Sequence, residues 1–161
     1  MTSNEPPEIL IALGANMPSR AGPPSQTLYA ALAALAAANI AILETSSFIE
    51  TAAWPDPSEP PFVNAAASLR TNLQPIALLE VLHGIETDFG RVRSRRNAPR
   101  TLDLDLIAYG GLVLNGDRLT LPHPRIAERR FVLQPLAEIA PCWRHPLTGK
   151  TASEMLAVLP Q

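Results

Sequence analysis

The sequence predicts an α+β fold of the ferredoxin-like kind: a mostly antiparallel sheet with helices packed on it. Three observations predict it. Short apolar runs bounded by Gly, Pro and Asn recur along the chain, as strands do. Two longer segments with helical apolar spacing stand between them. Through Tyr109 the two kinds alternate as β-α-β-β-α-β. At 161 residues the chain has the length of one ordinary domain, and 1–161 is read as a single unit.

Glu8–Leu13 (EILIAL) is a continuous apolar run ending at Gly14, so it reads as a buried strand. Gly14 to Ser25 is a Gly/Pro/Ser-rich loop. Gln26–Ala38 places Leu28, Leu32 and Leu35 on one helical face, with Ser25 as the expected N-cap. Ile40–Thr51 is β-branched and aromatic and predicts a strand. Ala52–Pro61 carries four prolines in ten residues, which rules out helix or central strand. Phe62–Thr71 is again strand-like. Pro75–Phe89 repeats Ile76, Leu79, Leu82 and Ile85, with Pro at a helix start and Gly90 at its end. Thr101–Tyr109 alternates as a strand does, Leu112–Asn115 and Leu119–Leu121 are short strands about a turn, and helices are expected near Val132–Ile139 and Ala152–Leu159. For the β-α-β-β-α-β part, the expected arrangement has the helices on one face.

Composition narrows the function. Apolar residues make up 47% and charged residues 17%, the balance of a globular chain. A net charge of −2 argues against a nucleic-acid partner, which calls for a basic face. The Ala-rich run Leu28–Ala38 is too short to span a membrane. Met1–Glu8 is polar and Pro-rich without a charged-then-apolar leader pattern, so the expected location is the cytoplasm. Cys142, the single cysteine, excludes an internal disulfide.

The sharpest chemical signal is Arg100-Thr101-Leu102-Asp103-Leu104-Asp105-Leu106. On a strand, Leu102, Leu104 and Leu106 share one face and the two acids share the other, about 6.5–7 Å apart along the backbone. Two carboxylates held that close suit a hard divalent cation such as Mg²⁺, though a solvated strand face has the same pattern. Just before them lie Arg91, Arg93, Arg95, Arg96 and Arg100, a local positive patch on a slightly acidic chain. Guanidiniums bind phosphate oxygens in pairs; the chain's preference for Arg over Lys also fits a plain solvated loop. Together, an arginine-rich loop feeding an acidic strand supplies the parts for phosphoryl transfer. No Gly-x-x-x-x-Gly-Lys-Ser/Thr loop exists, which excludes a P-loop enzyme. His123 stands between two prolines and is correspondingly stiff.

Those residues carry a resemblance. Arg91-Val92-Arg93 through Asn97-Ala98-Pro99-Arg100-Thr101-Leu102-Asp103-Leu104-Asp105-Leu106 resembles the signature of the hydroxymethyl-dihydropterin pyrophosphokinase family. So do Ile11-Ala12-Leu13-Gly14-Ala15-Asn16, Ser46–Thr51 with Phe62-Val63-Asn64, Leu121-Pro122-His123-Pro124, and Arg129-Arg130-Phe131. Many members have an aromatic residue and Gly where this chain has Asn97-Ala98, and Pro where it has Ala52. The resemblance implies pyrophosphoryl transfer from ATP to a pterin alcohol, with release of AMP, in folate synthesis. It implies Asp103 and Asp105 as ligands of two Mg²⁺ ions and Arg91 and Arg100 as catalytic arginines. Thr51, Phe62, Asn64 and Phe131 match pterin-pocket positions, and Glu86, Arg93, Leu106, His123 and Arg129 match positions near the nucleotide. The expected partners are the two small substrates alone, with no nucleic acid and no membrane, and the expected state is a monomer. Gly90–Arg100 is expected to close over ATP. Two rival readings remain at this level: a nucleotide-sugar transferase using Asp-x-Asp, and a ferredoxin-like ligand-binding or RNA-binding module. The first calls for a longer α/β chain. The second places exposed aromatics on its central strands, where this chain has acids.

Overall fold

A computed structural model describes residues 7–53, 56–91 and 101–160. The elements run β1 (Ile9–Ala15), α1 (Pro24–Ala37), β2 (Ala41–Thr45), β3 (Ile49–Thr51), β4 (Phe62–Arg70), α2 (Pro75–Asp88) and β5 (Asp103–Tyr109). Then follow β6 (Leu114–Asn115), β7 (Thr120–Leu121), one 3₁₀ turn at Ile126–Glu128, α3 (Arg130–Ile139) and α4 (Ala152–Ala157). The main sheet has the order β2-β4-β1-β5, with β3 lying beyond β2 along the same edge of β4; every pairing is antiparallel. Counting β2 and β3 as one edge, this is the ferredoxin-like order. No helix among the described residues is long and apolar enough to cross a membrane.

The two helices of the β-α-β-β-α-β part lie on one face of the sheet, as expected, and the later helices α3 and α4 cover the other. Ile9, Ile11, Leu13 and Ala15 of β1 join Leu28, Ala31 and Leu35 of α1 and Leu78, Leu82 and Ile85 of α2 in one core. Leu10 and Ala12 of the same strand join Val132, Leu133 and Leu136 of α3 and Met155 of α4 in a second. The physical reason lies in β1 itself. All seven of its residues are buried, and a strand without polar alternation is one whose two faces both need cover.

Three local expectations are adjusted. Ser25 lies inside α1: the helix begins at Pro24, with Pro23 at the cap position and no side-chain cap bond. Proline's fixed φ and missing N–H suit that first position and displace the hydroxyl cap. The strand expected over Ile40–Thr51 breaks at Ser46-Ser47-Phe48. There Ser46 Oγ accepts the Ala66 N–H at 2.9 Å, while the Ser47 N–H and hydroxyl both bond the Glu138 carboxylate, at 3.0 and 2.8 Å. Side chains have taken bonds that a continuous ladder would have used. The acidic strand starts at Asp103, two residues later than expected.

Leu82 is fully buried between α2 and the sheet. Leu82→Ala should lower the unfolding free energy by about 2–5 kcal/mol, the cost of lost burial plus a cavity; urea titration with an unchanged slope would check it.

Candidate active site

The site lies where β5 begins. Alternation sends Leu104 and Leu106 into the core beneath α2 and leaves Asp103 and Asp105 on the opposite face, with side chains 18% and 29% exposed. β5 is an edge strand, and Glu86, at the end of α2, covers part of that edge. The Glu86 carboxylate is buried and accepts the Leu104 N–H at 2.8 Å. The same oxygen accepts Arg91 Nη1 at 2.8 Å, and that nitrogen also bonds Asp103 Oδ1. Burial draws the Arg91 guanidinium towards losing its proton, but the nearby charges of Asp103 and Glu86 outweigh this and hold its pKa above the usual value. Across the site, Arg129 Nη1 stands 3.7 Å from Asp105 Oδ2.

Two cavities meet at these carboxylates. One, of about 460 Å³, is lined by Gly14, Thr51, Phe62, Asn64 and Phe131 together with the basic segment Arg129-Arg130. The other, of about 320 Å³, is lined by His83, Glu86, Arg91, Leu106, Arg118 and His123. Asp103, Asp105 and Arg129 line both. In the first cavity Asn64 Nδ2 donates to Thr51 Oγ1 at 2.7 Å. Phe131 is 39% exposed, a large aromatic face left open to the cavity mouth, with Arg129 Cζ 5.7 Å from its ring centre. In the second cavity the His123 N–H bonds the Ile107 carbonyl at 2.8 Å, again on β5. Its Nδ1 accepts the Arg125 N–H at 3.1 Å, so the neutral ring carries its proton on Nε2. Burial, with the charges of Arg129 and Arg125 added and Asp103 opposing, lowers the His123 pKa to about 4.

Residues 10–141 match the family of 7,8-dihydro-6-hydroxymethylpterin-pyrophosphokinases, HPPK. The chain belongs to the HPPK family. It is 44% identical over 148 residues to a 2-amino-4-hydroxy-6-hydroxymethyldihydropteridine pyrophosphokinase of Synechocystis, covering 91% of this chain and 73% of the relative. It is 42% identical to the Methylorubrum extorquens protein of the same name, covering 92% of this chain and 91% of that one. Among solved structures it superimposes on the wild-type HPPK-DHPS of Plasmodium falciparum with a TM-score of 0.69 at 13% identity, covering 98% of this chain and 45% of that one. This chain thus spans less than half of those longer proteins, and the likeness to them is one of fold.

Within the HPPK frame, the structure brings Thr51, Phe62, Asn64 and Phe131 around one cavity and Glu86, Arg91, Leu106 and His123 around the other, with Asp103, Asp105 and Arg129 at their junction. Arg93 and Arg100 lie outside the described residues, as do Arg95 and Arg96; of Gly90–Arg100, the loop expected to close over ATP, only Gly90 and Arg91 are described. Glu86 is less a surface contact than an internal anchor, since its carboxylate is spent on Leu104 and Arg91. Sequence reasoning missed Ala12 and Gly14 on the floor of the first cavity and Arg125, Glu128 and Arg130 on its rim. A glycine ending an apolar run was the one available signal for Gly14. The rim residues carry none, because charged residues in a loop look alike whichever way they face.

The lowered pKa of His123 sets a pH dependence. In the unfolded chain its pKa is about 6.5 and in the folded protein about 4. Between those values the unfolded state binds more protons, so stability rises with pH. The contribution of a neutral His123 is therefore complete above pH 6.5 and is lost as pH falls to 4. His145, also lowered by burial, acts in the same direction. His123→Asn should flatten the melting-temperature profile between pH 6.5 and 4 while leaving the share from His145; a profile parallel to wild type would contradict the assignment.

Proposed function

We propose that this enzyme transfers the terminal pyrophosphoryl group of ATP to the hydroxymethyl oxygen of 6-hydroxymethyl-7,8-dihydropterin, a step of folate biosynthesis. Membership of the HPPK family supports the reaction. The observation that carries the site is the paired carboxylates standing on the wall shared by an aromatic-flanked cavity and a polar, arginine-lined one.

In this reading the pterin occupies the first cavity. Phe62 and Phe131 offer their faces to its rings, and Asn64, braced by Thr51, offers polar atoms to its edge. ATP lies in the second, against Leu106, His123 and Arg129, with Glu86 beneath. Arg93 and Arg100 are assigned there from the family signature alone. Asp103 and Asp105 suit Mg²⁺: two hard oxygen donors on one strand face, partly exposed, with room for phosphate oxygens and water to complete the shell. Two ions held by Asp103 and Asp105 would supply positive charge that neutralises charge developing on the leaving oxygen. The chain's own part is orientation and fixed charge. Arg91, held cationic on Glu86, faces the transferring group. The shared wall sets the pterin hydroxyl towards the β-phosphorus. A new bond from that oxygen to the β-phosphorus forms as the bond from the α–β bridging oxygen to the β-phosphorus breaks. AMP leaves with the α–β bridging oxygen, and the proton of the pterin hydroxyl is released to water. We further place residues 1–161 as one working domain, a cytoplasmic monomer acting on these two small substrates without nucleic acid or membrane.

Incubation with MgATP and the pterin alcohol should yield AMP mole for mole with pterin diphosphate, read by chromatography; ADP in that proportion would refute the reading. Asp105→Ala should reduce turnover by at least about 10²-fold and weaken MgATP binding. Its loose pair with Arg129 is worth about 0–1 kcal/mol, so the melting temperature should barely move. Near-normal activity in this variant at ordinary Mg²⁺ would mean that the acids are only a wetted strand face.

A further inference from the structure

Gly14 sits in the central strand with Asn64 opposite it on β4 and Asp103 opposite it on β5. Residues paired this way point to the same face of a sheet, and all three line the first cavity. Between a polar amide and a carboxylate, the floor there has no side chain. Glycine weakens a strand interior, and its presence there commonly marks a close approach by something else. Gly14 has no positive φ, so its backbone accepts any residue and the reason for glycine is spatial.

What a side chain would meet is one-sided. A Cβ at Gly14 would lie 3.0 Å from Asn64 Oδ1, 3.8 Å from the Val63 carbonyl and 3.9 Å from Phe62 Cδ1. Its three nearest neighbours all belong to β4, and none to Asp103. The Asn64 amide cannot give way freely. It is 4% exposed, and its other end is bonded to Thr51 at 2.7 Å. An added methyl group must displace the amide oxygen by a few tenths of an ångström, and the Thr51 bond at the amide's other end resists that displacement.

We infer that Gly14 is a positioning residue for substrate recognition: the side chain it lacks leaves the Asn64 amide lying across the sheet, oxygen towards β1 and nitrogen towards Thr51, in the orientation that reads the ring edge. The inference rests on the pterin reading of the first cavity. It makes Gly14 act on the heteroaromatic substrate through Asn64, and leaves the carboxylates and the nucleotide cavity untouched.

The test is calorimetric titration with hydroxymethyl-dihydropterin, in the presence of Mg²⁺ and α,β-methylene-ATP, of four proteins: wild type, Gly14→Ala, Asn64→Ser and the double variant. Gly14→Ala should bind the pterin about 10- to 100-fold more weakly, the range for mispairing one buried polar group, and the ATP analogue with wild-type affinity. Asn64→Ser should lose pterin affinity as well. Adding Gly14→Ala to Asn64→Ser should cost little more, since the two act as one unit. Undiminished binding by Gly14→Ala, or fully additive losses, would overturn the inference while wild-type binding kept the pterin reading intact; a wild type that binds no pterin would overturn both. If Gly14→Ala melts lower than wild type, the shorter side chain of Asn64→Ser must restore the melting temperature in that background, and failure to do so would also refute the proposed clash.

Discussion

The buried carboxylate of Glu86 is the constraint on which the rest of the site depends. It stands at the end of α2, accepts the edge N–H of Leu104 on β5, and holds Arg91, which reaches on to Asp103. A carboxylate taken from water needs compensation from hydrogen bonds and opposite charge, and Glu86 receives both from residues of the site. A helix end, a strand edge and a charged pair are thereby tied into one unit. The start of β5 cannot shift without exposing a backbone donor, and Arg91 cannot leave without removing a countercharge. The two acids therefore stand on a strand fixed from below.

The cover on both faces of the sheet explains where the cavities are. α3 and α4 bury Leu10, Ala12 and Ala66 on the second face, but α3 begins only at Arg130. The upper part of that face, from Asn64 across Gly14 to Asp103, is left without helix. The same α3 places Phe131 in its first turn, at the rim of the uncovered floor. A helix that packs the core at one end thus makes a cavity wall at the other. Its Glu138 also bonds Ser47 at the break between β2 and β3, which sets the short strand carrying Thr51.

Much of this was legible in the sequence, for identifiable reasons. The alternation of Leu and Asp over 102–106 put both acids on one face because strand geometry leaves no other choice. The continuous run of β1 was legible as a buried strand, and the fold's general plan put α1 and α2 on one face; the cover that α3 and α4 give the other face lies outside that plan. What was not legible was tertiary. Nothing local tells Glu86 from any other helical acid; its role appears only when α2 is packed against β5. The break at Ser46-Ser47 depends on Glu138, ninety-one positions away in the chain. The rim residues Arg125 and Glu128 have no pattern at all until the turn at 126–128 aims them.

The arrangement of charge also bears on how the two cavities communicate. Asp103 and Asp105 each face an arginine, one just beyond the end of α2 and one preceding α3. Like charges on neighbouring positions of one strand repel, and these guanidiniums offset that repulsion in the protein alone. In the proposed reaction, Mg²⁺ held by Asp103 and Asp105 would supply that positive charge, and Arg129 would exchange its loose contact with Asp105 for phosphate oxygens. The exchange asks no carboxylate to move far, because both acids are already set on a strand anchored by Glu86. Arg129, only loosely paired at 3.7 Å, turns at low cost, while Arg91 stays seated on the buried Glu86 carboxylate. The sheet thus supplies fixed negative charge and its edges supply adjustable positive charge. That division suits a site whose substrate brings its own negative charge and whose cations arrive with it.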